Sequence, residues 1–262
     1  MLLIASAFLK EAAPFIHHLC LKKEEPQSSL CPEKPVYTNE KITLIITGMG
    51  KKAMEKALIS SMEKRAFSFY LNIGYAGHPL HLPGKAFFAQ KISQENASSF
   101  YPHIFPFMQR LSSSDLISVD KMEKKFSKDA LYDMEGYAFF STLIEKRIPL
   151  EAIASFKVVS DGPNHPFQKT SLWMEKAASE LIPLVERLAE KTQRIGDAPD
   201  FLIYLPKSLH FTTYQKERAK KLFHLAQSLG EEKVFTKVTK TNAQAFLETV
   251  EHMIEQKALD YA

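Results

Sequence analysis

The sequence predicts an α/β fold, and three observations carry that expectation. Short apolar, β-rich runs alternate with amphipathic helical stretches over about the first 195 residues. The runs end in turn signals, at Thr47-Gly48-Met49-Gly50, at Gly74-Tyr75-Ala76-Gly77 and at Ser160-Asp161-Gly162-Pro163. Over residues 196–262 the pattern changes to one short apolar run and two amphipathic helices. Strands alternating with helices predict a largely parallel or mixed sheet covered on both faces, here followed by a mainly helical extension.

Taken in order, Leu2-Leu3-Ile4-Ala5 reads as a buried first strand. Lys10-Glu11-Ala12-Ala13 opens a helix that runs through Phe15, Ile16 and Leu19. Residues 22–40, with Pro26, Pro32 and Pro35, form a loop or hairpin. Ile42–Ile46 is the second strand, and Gly48 and Gly50 let the backbone after it turn tightly and approach a ligand. A helix over Lys51–Ser61 places Ala53, Ala57 and Leu58 on one face. Phe69–Ile73 is a third strand ending in the Gly-Tyr-Ala-Gly turn, and Ala86–Ala89 and Leu116–Val119 are two more short ones.

Asp133 and Glu135 stand where a polar segment gives way to Tyr137-Ala138-Phe139-Phe140 and Leu143-Ile144, the entry to a buried helix that Pro149 ends. Ala152–Val159 is a further strand, and Asp161 stands at its carboxyl end, where open α/β sheets bind ligands. Taken singly, these carboxylates need do no more than favour a helix N-terminus and cap a turn. A long helix over Ser171–Lys191 buries Trp173, Ala177, Leu181, Val185 and Leu188, and Pro183 should kink or split it. In the extension, Phe201–Leu205 is apolar, and Thr212-x-x-Gln215 and Thr241-x-x-Gln244 are capping-box patterns. Gly230 stops the first of its helices, and Phe246, Val250, Met253 and Ile254 stripe the second. A packing or oligomerisation role fits this tail.

At 262 residues and 45% apolar, the chain can bury an ordinary core. A net charge of +4 without a long basic run gives no support to nucleic-acid binding. Two cysteines, Cys20 and Cys31, point to a reducing compartment. No stretch approaches the ~20 apolar residues of a membrane span. Met1–Phe8 is too short for a signal peptide and lacks a basic start, so a cytoplasmic location is expected. Neither metal nor cofactor is expected. His78-x-x-His81 is broken by Pro79, His17-His18 cannot share a helix face, and Gly48-x-Gly50 lacks a third glycine.

Four segments together resemble a known family. Asp133-Met134-Glu135-Gly136, followed by Val158-Val159-Ser160-Asp161, is similar to the signature of the purine nucleoside phosphorylase and nucleosidase superfamily. Thr47-Gly48-Met49-Gly50-Lys51 is similar to its glycine turn, and Asn72-Ile73-Gly74-Tyr75-Ala76-Gly77 to its Asn-x-Gly-x-Ala-Gly segment. The resemblance covers about residues 1–195. It implies a three-layer phosphorylase/hydrolase-like domain with a mixed central sheet flanked by helices, leaving 196–262 as an extension of unknown role.

That resemblance supplies a carboxyl group for each job in cleaving a purine from ribose. Asp161 would protonate the purine at N7 and accept from its exocyclic amine. Glu135 would take the ribose hydroxyls, with Met134 on the sugar face, and Glu11 would activate water. The setting Ser6-Ala7-x-x-x-Glu11 is closer to the futalosine hydrolase form than to the methylthioadenosine form. Ser114-Asp115-Leu116-Ile117-Ser118 resembles the family's Ser-Gly-Asp-x-Phe-Ile strand, so Ile117 and Ser118 would line the base. Tyr75, Ala76, Gly77 and Ser160 belong to the matching segments, with Tyr75 in place of the usual small hydroxyl residue. Phe167 or Trp173 would close the pocket. Phosphorylases of this superfamily place arginines about the sugar; here Asn72 takes one such place and no arginine precedes Arg65, so hydrolysis is implied.

Asp161, where futalosine hydrolases that release hypoxanthine usually carry Asn, suits adenine. The implied activity is release of adenine by water, from 6-amino-6-deoxyfutalosine of menaquinone biosynthesis or, as the alternative, from methylthioadenosine or S-adenosylhomocysteine in methionine salvage. A homodimer is expected. A non-catalytic nucleoside-binding or scaffold protein on the same fold is the remaining alternative.

Overall fold

The computed structural model describes residues 1–25, 34–102, 112–123, 125–166 and 172–196, and beyond them 205–206, 208–212, 215–216, 218–219, 222–223, 226, 233–239 and 242–260. The chain divides into two compact units, Met1–Thr192 and Gln193–Ala262.

In the first unit the described strands are β1 (Leu2–Ser6), β2 (Lys22–Lys23), β3 (Val36–Thr38), β4 (Ile42–Ile46), β5 (Phe69–Gly77), β6 (Ala86–Gln94), β7 (Ser113–Ser118), β8 (Leu131–Asp133) and β9 (Ile153–Asp161). They form one sheet in the order β2-β3-β4-β1-β5-β8-β7-β6-β9, with β9 returning to pair with β5. β1 runs parallel to β4 and β5, and β9 runs parallel to β5, while β6 is antiparallel to β9. β7 is parallel to both β6 and β8, and β8 meets β5 at the single antiparallel pair Gly77–Tyr132. The sheet is therefore mixed, and β5, β9, β6, β7 and β8 close on themselves.

Two-residue periodicity sorts the side chains of β1 to the two faces. Leu2 and Ile4 pack with Ala12 and Phe15 of helix α1 (Leu9–His18) and with Met174, Ala177, Leu181 and Val185 of α4 (Leu172–Gly196). Leu3 and Ala5 pack on the other face with Met54, Ala57 and Leu58 of α2 (Lys51–Lys64) and Phe139, Phe140 and Leu143 of α3 (Gly136–Glu145). Helix, sheet and helix make the expected three layers. Each fully buried large apolar side chain contributes about 1.5–3 kcal/mol relative to its exposed state.

Three local expectations change. Gly74 to Gly77 is the last part of β5 rather than a turn, because β9 pairs with it as far as Gly77–Asp161, across a bulge between Ala76 and Gly77. Pro183 does not split α4, which continues across it with the proline on its exposed side. α3 ends at Glu145, and Pro149 instead precedes a 3-10 turn at Leu150–Ala152.

The second unit has its own helical core. Phe211, Phe223, Phe235, Phe246, Val250 and Ile254 are buried together, with α5 (Val234–Lys237) and α6 (Ala243–Asp260) contributing. Thr212 and Gln215 make the reciprocal capping-box bonds. The second cap differs. Thr241 lies outside the described residues, and Asn242 caps α6 through Oδ1, which accepts from Ala245 N at 2.8 Å. Phe201–Tyr204 and Gly230 also lie outside the described residues.

Candidate active site

The carboxyl ends of β1, β5, β8 and β9 gather a set of buried charges. Glu11 enters from the first turn of α1 and is 5% exposed. Its Oε2 accepts from Ser6 Oγ at 3.0 Å and Phe8 N at 3.1 Å, and its Oε1 accepts from Tyr75 N at 3.2 Å. The Phe8 contact is the glutamate half of a capping box, so Glu11 caps its own helix while reaching across to β5. Burial pushes its pKa up; Lys157 and the three hydrogen bonds pull the other way.

Lys157 is the residue that sequence reasoning missed. It sits in the middle of β9, 1% exposed, and its Nζ is 2.8 Å from Asp133 Oδ2. A Cβ added at Gly74, its pairing partner on β5, would lie 3.4 Å from Glu11 Oε2 and 3.6 Å from Lys157 Nζ. Base and cation thus flank one bare backbone position. The signal was present: lysine is almost never fully buried unless paired, so one inside an apolar strand implies a buried anion.

Asp133 is fully engaged. Besides Lys157 it accepts from Ser118 Oγ at 2.6 Å and Gly136 N at 2.8 Å. Ser118 Oγ in turn accepts from Tyr137 N at 2.7 Å. The Ser118 hydroxyl therefore fixes the start of α3, so what Ser118 has left to offer a base is its main chain. Glu135, 8% exposed, turns away from its own helix, and its Oε1 accepts from Gly50 N at 2.7 Å, tying the glycine turn to α3. Burial and neighbouring Asp133 raise its pKa, against Lys157 and the N–H groups of Gly50 and Met134. Beside it lies a cavity of about 320 Å³ lined by Met49, Gly50, Lys51, Lys52, Val119 and Met134, among others.

Asp161 stands at the far end of β9, half-buried, with Oδ1 accepting from Ser160 Oγ at 2.5 Å. Its pairing partner Gly77 also pairs with Tyr132, so Gly77 lies between the acid and an aromatic. Ala76 is buried, and its carbonyl accepts from Ser160 Oγ at 3.4 Å. Ile117 packs in a small apolar cluster with Phe126, Ala130 and Tyr132. The Gly74–Lys157 and Gly77–Asp161 pairs are three to four residues apart along β5 and β9, roughly 10–13 Å at ~3.3 Å per residue.

The two aromatic candidates fare differently. Phe167 lies outside the described residues. Trp173 packs on the turn before β6, where a Cβ at Gly84 would meet its Cδ1 at 2.9 Å; the aromatic seen beside Asp161 is Phe126. Tyr75 offers the site its backbone N–H. Its ring packs on the α4 face, and its phenol, pushed up to about 12 by burial and Glu11, bonds to the Met174 backbone. Asn72 is structural, donating to Ala5 O and accepting from Ser155 Oγ. His78 is buried, its pKa lowered to about 4 by burial and by His81; among the described residues no group of three His, Cys, Asp or Glu is placed to hold a metal ion.

No family model and no curated protein matches the sequence. Solved structures do. An Arabidopsis thaliana 5′-methylthioadenosine nucleosidase is 15% identical, with a TM-score of 0.60 over 70% of this chain and 95% of that one. A Chlamydia trachomatis methylthioadenosine nucleosidase variant, bound to methylthioadenosine, is 19% identical, with a TM-score of 0.57 over 71% of this chain and 97% of that one. A Helicobacter pylori 5′-methylthioadenosine/S-adenosylhomocysteine nucleosidase with butyl-thio-DADMe-Immucillin-A is 15% identical, with a TM-score of 0.60 over 71% and 97%. At such identities the likeness is one of architecture: this chain has the three-layer fold of those nucleosidases.

Proposed function

We propose that the protein is a purine nucleosidase that uses water to release adenine from an adenine nucleoside. The observation that carries the proposal is the grouping of Glu11, Glu135 and Asp161 at neighbouring strand ends, with the β5–β9 pairs spaced as a nucleoside's sugar and base would need. In this reading Asp161 gives its proton to the purine N7 and accepts from the 6-amino group as the C1′–N9 bond breaks. Glu11 takes a proton from the water that attacks C1′, and a raised pKa suits that base. Glu135 binds the ribose hydroxyls beside Met134. Lys157 keeps the three neighbouring carboxylates from repelling one another.

For the 5′ substituent we favour 6-amino-6-deoxyfutalosine, an intermediate of menaquinone biosynthesis, because the Glu11 setting resembles the futalosine form. The second reading is methylthioadenosine or S-adenosylhomocysteine. In its favour are the apolar walls Met49, Val119 and Met134 of the cavity beside Glu135, and structural neighbours named for those substrates. We infer a cytoplasmic homodimer. Large apolar side chains left exposed, Phe8, Tyr101 and Met122 among them, are available to a subunit contact, and no described helix is long and apolar enough to cross a membrane. The test is to incubate purified protein with each of the three nucleosides in phosphate-free buffer and follow free adenine. Release from 6-amino-6-deoxyfutalosine above the others is the expected result. A strict requirement for phosphate, with ribose 1-phosphate products, would overturn the hydrolase reading.

A further inference from the structure

We propose that the ring of Phe126 occupies the place the purine needs, so that the ligand-free protein plugs its own base slot. The proposal rests on the reading of Asp161 as the acid that meets the purine. A Cβ built on Gly77 would lie 2.6 Å from Phe126 Cε1, 2.9 Å from Phe126 Cζ and 3.2 Å from Asp161 Oδ2. With a Cα–Cβ bond of about 1.5 Å, the ring edge is therefore within about 4 Å of the Gly77 Cα, a single van der Waals contact. A base slid between Gly77 and the ring needs two such contacts, about 7–8 Å in all. The ring is not a wall with a gap beneath it. It lies in the gap.

Distances of 2.6 Å and 3.2 Å from one point also put the ring within about 5.8 Å of Asp161 Oδ2. That oxygen takes no hydrogen bond from a described residue, whereas Oδ1 is held by Ser160. A purine whose N7 meets Oδ2 from the Gly77 side enters the space the ring fills. The plug is well seated. Phe126 is 9% exposed and meets Tyr132 edge-on at 5.3 Å, and Tyr132 is anchored by Lys128 N donating to its hydroxyl at 2.9 Å. Its backbone is held at φ +44, a left-handed conformation that disfavours aromatic residues. If the ring leaves by a change of the backbone rather than of χ1 alone, that strain is released and offsets part of the packing lost. The base then binds only the open fraction of molecules, and its apparent affinity falls by that fraction.

Free adenine is the probe. Calorimetric titration should show about tenfold tighter binding to Phe126→Ala than to wild type, with Phe126→Leu between them. Equal or weaker binding to folded variants would overturn the plug and make Phe126 a wall or a bystander. Hydroxyl-radical footprinting of the wild type needs no variant. Saturating adenine should raise labelling at Phe126 by expelling the ring, whereas a fall or no change, as for a ring covered by the base, would overturn the proposal. If adenine binds none of the proteins, the nucleosidase reading fails and the plug with it. If it binds them all without the expected order, only the plug fails.

Discussion

The two ends of the proposed cleft are built on different principles. At the Glu11–Glu135 end, three buried carboxylates and one buried lysine are held by hydrogen bonds from four strands, from the first residue of α3 and from the residues that precede α1 and α2. At the Asp161 end, a half-buried carboxylate has one side-chain partner among the described residues, its neighbour Ser160, beside a glycine and the ring of Phe126. In the proposed reaction, the charges that act on sugar and water are fixed in advance, where a misplacement of an ångström would be costly. The end proposed to admit a flat base is held by little more than apolar contact.

The largest expected effect lies at the fixed end. Glu11→Gln should lower adenine release by about 10²–10⁴-fold, the usual worth of a general base, measured as kcat/KM. The amide can accept from Ser6 and Phe8 or from Tyr75, not from all three, so one donor is stranded at about 1–3 kcal/mol. Full activity in Glu11→Gln would erase the contrast between the ends. Next, Lys157→Met should destabilise the fold by about 3–5 kcal/mol in denaturant titration, because Asp133 is left buried and unpaired. A loss under 1 kcal/mol would show that this end is not locked by charge.

Smaller effects follow from the pH dependence. A raised Glu11 pKa places the acid limb of the kcat/KM profile above that of an ordinary glutamate, near 4.3. Lys157 opposes that rise, so in whatever folds of Lys157→Met the limb should move higher still, while Lys157→Arg leaves it in place. Glu135 offers the matching stability test. Its raised pKa means that its protonated form stabilises the fold; the contribution is full below the ordinary glutamate value and is lost as pH rises through the raised one. Glu135→Gln, which can still accept from Gly50, should therefore melt higher than wild type at pH 8 and show no such gain at pH 4. A gain that grows towards low pH would contradict the sign.

How far the sequence was legible follows the same division. The layers, the positions of β1, β4, β5, β6, β7 and β9 and the buried start of α3 came from periodicity, and the structure agrees because local pattern and burial coincide there, whereas the three-residue β8 was not read as a strand. The extent of β5 did not, since Gly74 to Gly77 looks like a turn until a partner strand is seen beside it. Lys157 was hidden by its apolar neighbours Phe156, Val158 and Val159, although its charge inside that run was the clue. Phe126 left no clue. It is one aromatic in a lysine-rich segment, and its place beside Gly77 is set by contacts between residues some fifty positions apart, which no local pattern encodes.

The most direct measurement concerns Asp161, on which the choice of base turns. Wild type and Asp161→Asn are compared on the 6-amino and 6-oxo forms of one nucleoside. A protonated Asp161 can donate to N7 and accept from the 6-amino group, whereas a 6-oxo base sets two acceptors face to face. Wild type should favour the amino form by about ten- to a hundredfold, the cost of one unpaired buried acceptor. Asp161→Asn, which keeps the shape but has no acid proton, should lose most turnover on the amino form. Equal wild-type rates on the two forms, or a fully active Asp161→Asn enzyme, would contradict this role of Asp161.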